Sequence, residues 1–185
     1  MNHQGAVVWL TGLSGSGKTT IAQIVVGELR NRGAQATLLD GDALRMSVSK
    51  DLGFSRADRA ENVRRVGLMA GTLCSRGMVT LVALVSPYRD ARDAIRRQEQ
   101  RFVEVYVNAP LEVCEQRDPK GLYRKARLGE LTLFTGISDP YEPPLNPEVE
   151  CRTDRESVDE SAAKVLLAIE RLVLPAGLES RPVGA

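Results

Sequence analysis

The octet Gly12-Leu13-Ser14-Gly15-Ser16-Gly17-Lys18-Thr19 has the form G-x-x-x-x-G-K-[ST]. Its chemistry is that of a cradle for phosphates. Glycines leave the backbone free to turn N–H groups onto phosphate oxygens, the lysine reaches the β and γ phosphates, and the hydroxyl that follows can face Mg²⁺. Thr19 supplies that hydroxyl, and Thr20 continues into a segment of helical period. The octet follows an apolar strand-like run, Ala6 to Leu10. A merely glycine-rich turn needs neither flank, so a nucleoside triphosphate is the ligand implied.

Phosphoryl transfer also needs an acid that organises the metal and orients the attacking group. Asp40 and Asp42 flank Gly41 directly after Leu38 and Leu39, and Ser86 follows the apolar run Val79 to Val85. In an open parallel sheet, ligands sit beyond the carboxyl ends of the strands, so Asp40, Asp42 and Ser86 are expected to converge with Lys18. Asp40 is the candidate for holding Mg²⁺ and orienting a hydroxyl. Asp-Gly-Asp is also an ordinary tight turn, but its place after a strand favours chemistry. Arg45, Arg56, Arg59 and Asn62 come next in the chain. Guanidinium forks suit the oxygens of a phosphate or sulfate, which implies an anionic acceptor; a solvated helix face is the plainer alternative.

These groups need a scaffold. Strand-like runs at Ala6 to Leu10, Ala36 to Leu39, Val79 to Val85 and Phe102 to Val107 alternate with segments of helical period, which predicts an α/β fold: a parallel sheet of about five strands with helices on both faces. One helix is expected from Lys18 to about Arg30, ending at Gly33. Another should start at Ser55, capped with Asp58, and bury Val63, Val66, Ala70 and Leu73. A last one should start near Ser157 and bury Val158, Ala162, Val165, Ile169 and Leu172. Between Gly129 and Pro147 the period is lost and glycines and prolines gather, as in a lid. A single domain over 1–174 and a flexible tail over 175–185 are therefore expected.

Composition narrows the classes. At 185 residues and 43% hydrophobic content, one buried core is the expectation. A net charge of +1 gives no global field toward nucleic acid or a membrane. Cys74, Cys114 and Cys151 are odd in number, widely spaced and without a C-x-x-C pair, so they read as reduced core residues in a reducing compartment. No apolar run is long enough to span a bilayer and no basic-then-apolar leader opens the chain, so a cytoplasmic protein is expected.

Six ordered blocks beyond the cradle extend this reading. They are Leu39-Asp40-Gly41-Asp42, Lys50-Asp51-Leu52-Gly53-Phe54-Ser55, Asp58-Arg59 with Glu61-Asn62, Ser86-Pro87-Tyr88-Arg89, Asp118-Pro119-Lys120-Gly121-Leu122-Tyr123 and Phe134-Thr135-Gly136-Ile137. With the cradle, they resemble adenylyl-sulfate kinase, a P-loop kinase family, from about Gly5 to about Pro147. The resemblance implies transfer of the ATP γ-phosphate to the 3′-hydroxyl of adenosine 5′-phosphosulfate, giving 3′-phosphoadenosine 5′-phosphosulfate and ADP. It implies that Phe54 and Phe134 sandwich the acceptor adenine and that Arg45, Arg59 and Asn62 hold its phosphosulfate. Asp40, Asp42, Ser86, Lys120 and Gly136 join the acceptor side, and Arg117 with the Asp118 to Lys120 stretch lies on the ATP side. Lys18, Asp40 and Ser86 are the catalytic candidates, with Thr19 and Asp40 on Mg²⁺. In some members the serine at the position of Ser86 is described as a phosphoserine. Direct in-line transfer is favoured here, because a serine nucleophile needs an activating base and the chain's one histidine, His3, lies outside the motifs. Homodimers are implied, and association with a sulfate adenylyltransferase is compatible with the resemblance. Two departures stand out: Leu131-Thr132-Leu133 lacks the lysine expected before Phe134, and Asn108 replaces an expected aspartate. Kinases for nucleoside monophosphate, gluconate or shikimate, and a silent nucleotide-binding module, are the rivals.

Overall fold

A computed structural model describes residues 5–173. The tail over 175–185 and His3 lie outside the described residues. Five strands, β1 (Ala6–Thr11), β2 (Ala36–Asp40), β3 (Val79–Ala83), β4 (Phe102–Asn108) and β5 (Val149–Arg152), form one sheet in the order β2-β3-β1-β4-β5. Every neighbouring pair is parallel, with Ala6 opposite Val79 and Val7 opposite Phe102.

Strand β1 is central, and every one of its residues is buried. A strand sends successive side chains to opposite faces. Val8 and Leu10 accordingly pack under α1 (Lys18–Asn31), in one core with Ala162, Val165 and Ile169 of the terminal helix, while Val7 and Trp9 enter a second core with Val63, Val66 and Ala70. The second core is roofed by α3 (Arg56–Ser75), which follows the short α2 (Gly41–Arg45), and by α4 (Arg89–Gln98). Helices α5 (Leu111–Arg117) and α6 (Leu122–Arg127) cross the carboxyl edge of the sheet, and α7 (Val158–Val173) closes the first core.

The capping chemistry matches the sequence reading. Ser55 Oγ accepts the Asp58 N–H, and at α7 the Ser157 and Glu160 side chains reciprocally accept each other's backbone N–H groups. Cys74, Cys114 and Cys151 are free and buried. Three expectations need correction. The third strand stops at Ala83, and Leu84 to Ser86 leaves the ladder before α4. Val158 is 37% exposed and lines a cavity, because as the first residue of α7 it lies at the helix end and not along its buried stripe. The segment 129–147 is not one uniform lid. Its second half is tied down: Tyr88 Oη donates to Asp139 at 2.9 Å, the Glu142 N–H donates to the Pro87 carbonyl at 2.8 Å, and Arg89 Nε donates to the Pro143 carbonyl at 3.0 Å. Its first half, around Thr132 and Leu133, is exposed.

Candidate active site

The chain runs outward from β1 to β2, back to β3, then across β1 to β4 and β5, so the winding reverses at β1 and opens a crevice at its carboxyl end. A cavity of about 880 Å³ fills that crevice.

The cradle forms its floor. Gly12 leaves β1 with φ 152°, and a Cβ there would lie 2.3 Å from the Val107 carbonyl oxygen, so only glycine passes so close to β4. Gly17, at φ 103°, turns the chain into α1, whose first turn carries no acidic residue to compete for an anion. Lys18 folds back, its Nζ donating to the carbonyls of Gly12 at 2.9 Å and Leu13 at 2.7 Å. Burial pushes its pKa from the ordinary 10.5 down to about 8. Thr19 Oγ1 donates to Asp40 Oδ2 at 2.7 Å, and Asp40 Oδ1 accepts the Asp42 N–H at 3.0 Å. Asp40 thus caps α2 with one oxygen and meets the cradle hydroxyl with the other, so the turn and the site are one arrangement. Lys120 pairs with Asp42. Arg117 donates to the Gly15 carbonyl at 3.3 Å and to Thr153 Oγ1 at 3.1 Å.

The other end is aromatic and cationic. Phe54 is 54% exposed. The Arg45 guanidinium lies 4.5 Å from its ring centroid and that of Arg59 lies 5.5 Å away. Burial lowers the pKa of both guanidiniums, and for Arg45 the charge of Arg59 adds to the effect. Arg59 is paired with Asp139 at 3.5 Å and Arg45 donates to the Leu52 and Gly53 carbonyls at 3.0 and 2.9 Å, so two adjoining guanidiniums face one ion-paired carboxylate and leave a net positive end that favours an anion. Asn62 is buried, and its Oδ1 has no hydrogen-bond partner within the protein, so no bond of that oxygen prevents the carboxamide from turning its Nδ2 donors to an anion. Phe134 packs edge-on against Tyr123 with ring centroids 5.0 Å apart, and Tyr123 Oη donates to the Ser14 carbonyl, which anchors this aromatic to the cradle.

Most of the anticipated residues line this one cavity: Ser14 to Thr20, Asp40, Asp42, Arg45, Phe54, Arg59, Asn62, Ser86, Arg117, Lys120 and Phe134. Three do not. Gly12 lies beneath the cradle against β4. Leu13 and Gly136 border a separate shallow depression, where a Cβ on Gly136, already at φ 94°, would come within 3.1 Å of the Leu13 side chain; Gly136 shapes the loop. Arg56 also turns away, pairing with Asp90 at 3.0 Å and stacking on Tyr88. Ser86 reaches the cavity wall but is 4% exposed; its Oγ accepts the Trp9 Nε1–H at 3.0 Å and donates to Thr11 Oγ1 at 3.1 Å. Both departures have a place. Thr132 lines the cavity, while Asn108 Nδ2 donates to Glu150 at 2.7 Å.

The sequence reading missed Thr153, Glu156 and Val158, which complete the wall beside Arg117. They follow β5, a four-residue strand whose signal, Val149 and Cys151 buried in alternation, is too brief to stand out.

The comparisons with known proteins settle the lineage. The family model for adenylylsulphate kinase matches residues 4–152. The chain belongs to the adenylyl-sulfate kinase family. It is 54% identical to an adenylyl-sulfate kinase of Rippkaea orientalis over 99% of both chains, and 54% identical to one of Gloeothece citriformis over 93% of this chain and 98% of that one. Among solved structures, the Mycobacterium tuberculosis APS kinase CysC in complex with AMPPNP and APS superposes with a TM-score of 0.88 at 46% identity, covering 91% of this chain and 99% of that one. The family is one of P-loop kinases that transfer phosphate to an alcohol, in line with the cradle, Asp40 and the paired arginines.

Proposed function

We propose that this protein transfers the γ-phosphate of ATP to the 3′-hydroxyl of adenosine 5′-phosphosulfate, yielding 3′-phosphoadenosine 5′-phosphosulfate and ADP, in the cytoplasm. The observation that carries this is a single cavity with a triphosphate cradle at one end and Phe54, Arg45 and Arg59 at the other, in a chain of this family. The cradle's N–H groups and Lys18 hold the β and γ phosphates, with Arg117 and the Thr153 to Val158 wall beside them. At the far end Phe54 and Phe134 take the acceptor's adenine, and Arg45, Arg59 and Asn62 take its phosphosulfate, leaving the ribose between the two anionic groups. The acceptor oxygen bonds to the γ-phosphorus as the bond from that phosphorus to the bridging oxygen breaks and ADP leaves, while Asp40 orients the incoming hydroxyl and accepts its proton.

Among the described residues no three His, Cys, Asp or Glu side chains cluster to form a metal site. That suits Mg²⁺, which keeps waters and phosphate oxygens and takes few protein ligands. Thr19 Oγ1 and Asp40 Oδ2 are adjacent hard oxygens and would hold it. When bound, Mg²⁺ neutralises charge on the phosphates. Ser86 fits direct transfer: a buried hydroxyl engaged with both Trp9 and Thr11 presents no free nucleophile. Among the described residues no helix is long and apolar enough to cross a membrane. Family likeness supports a homodimer, and association with a sulfate adenylyltransferase is a further proposal.

Incubation with ATP, Mg²⁺ and adenosine 5′-phosphosulfate, followed by chromatography and mass spectrometry, should give one 3′-phosphorylated product and equimolar ADP. Preferential use of gluconate, shikimate or a nucleoside monophosphate would reject the assignment, and binding of both nucleotides without turnover would make the chain a silent module.

A further inference from the structure

Arg92, on α4, is the most deeply buried charged side chain among the described residues, at 1% exposure. Its Nε donates to Glu104 Oε1 on β4 at 2.7 Å, its Nη1 to the Ser86 carbonyl at 2.7 Å, and its Nη2 to the Glu142 carbonyl at 2.8 Å. Glu104 is further held by Arg96 Nη2 at 3.1 Å. Interring a guanidinium is costly, and a core alone is as well served by apolar side chains. What the charge achieves here is geometric. Ser86 sits at φ 39°, in the left-handed region that non-glycine residues avoid, and Arg92 fixes the direction of its carbonyl. Ser86 and Pro87 form the cavity wall, and the Glu142 N–H returns a bond to the Pro87 carbonyl. The planar fork therefore clamps the wall to the anchored half of the 129–147 segment, beyond the reach of any ligand.

We propose that Arg92 is a positioning residue for phosphoryl transfer: from behind the wall it holds Ser86 and Pro87, and through Glu142 the root of the lid, at the height the acceptor requires. The proposal rests on the acceptor assigned above. Arg92→Lys keeps a cation beside Glu104 but cannot span three partners in one plane, whereas Arg92→Met with Glu104→Gln removes the charge pair together. Misplacement by about 1 Å can cost on the order of a hundredfold, so acceptor kcat/KM is expected to fall roughly 10- to 100-fold in both variants. Affinity for an ATP analogue should stay within about twofold, because the cradle is built on β1 and α1. Trp9, the only tryptophan in the chain, donates to Ser86 Oγ, so its emission should shift as the wall relaxes. Unchanged acceptor kinetics and emission in cooperatively folding variants would overturn the role. So would parallel losses of ATP and acceptor binding, or failure of both variants to fold, since either would make Arg92 a stability element only. Wild-type protein inactive on adenosine 5′-phosphosulfate would instead sink the acceptor assignment.

Discussion

The two ends of the cavity are built in different ways. At the donor end a single continuous segment does nearly everything: the loop from Gly12 to Thr19 supplies backbone N–H groups, the ammonium and the hydroxyl, and β1 and α1 hold it rigidly on either side. The acceptor end is assembled from pieces far apart in the chain. Arg45 ends α2, Phe54 precedes α3, Arg59 and Asn62 lie on α3, Ser86 follows β3, and Phe134 comes from the loop after α6. Rigid local geometry suits a ligand common to many enzymes, while specificity for one acceptor is written in how distant segments meet.

Substitutions at the two ends should therefore separate turnover from acceptor recognition. The largest effect is expected at the donor end. On the proposed mechanism Lys18→Ala removes the ammonium that would swing from the Gly12 and Leu13 carbonyls to the transferred group, and loss of one such stabiliser typically costs about 10² to 10³ in kcat. Asp40→Asn should cost a similar 10² or more, within the usual range for a group that handles the reacting hydroxyl, while changing ATP affinity far less. Single-turnover rates with saturating ATP, set beside ATP-analogue binding, check both; Asp40→Asn with ordinary turnover would remove Asp40 from the mechanism.

Phe54→Ala tests the opposite end. An adenine stacked on one aromatic face is worth about 1–3 kcal/mol, which is roughly 5- to 150-fold in acceptor affinity. The ring is half exposed and packed against guanidiniums, so little of the core depends on it. Acceptor KM should rise with ATP affinity and melting temperature nearly unchanged. Equal weakening of both nucleotides would show that the ends are not independent.

The same contrast explains what the sequence made legible. The cradle, the Asp40 turn, the caps at Ser55 and Ser157 and four of five strands were readable because each is a local pattern of backbone demands and side-chain period. Arg45 and Arg59 were readable as anion-binding candidates but not separable from Arg56, and Phe54 became interpretable only with the family resemblance, since scattered arginines and a lone phenylalanine have no local signature. Arg56 shows the hazard: it has the same residue type as Arg59 and stands three positions away, one helical turn earlier, yet pairs with Asp90 instead of lining the cavity. Strand β5 and the Thr153 to Val158 wall were missed because four residues carry too little periodicity. The clamp made by Arg92 was invisible, because its partners Ser86, Glu104 and Glu142 meet only once the sheet has formed.

The smallest predicted effect sharpens the donor end without a substitution. Burial holds the Lys18 pKa at about 8 in the free protein, below the ordinary 10.5. Phosphates favour the charged ammonium, so binding ATP raises that pKa again and the complex takes up a proton when it forms above pH 8. Below about pH 8 the lysine is already charged and ATP affinity should be flat. Above it, affinity should fall with rising pH toward a tenfold loss per unit, so that binding at pH 9 is roughly tenfold weaker than at pH 7. Stability of the unliganded fold should move in the opposite direction: between about pH 8 and 10.5 the unfolded chain binds this proton more tightly than the folded one, so the contribution of Lys18 to stability rises with pH in that window. Calorimetry in buffers of different ionisation enthalpy measures the proton uptake directly. Lys18→Met should abolish both the uptake and the slope, and a slope that survived in that variant would assign the titration to another group in the cradle.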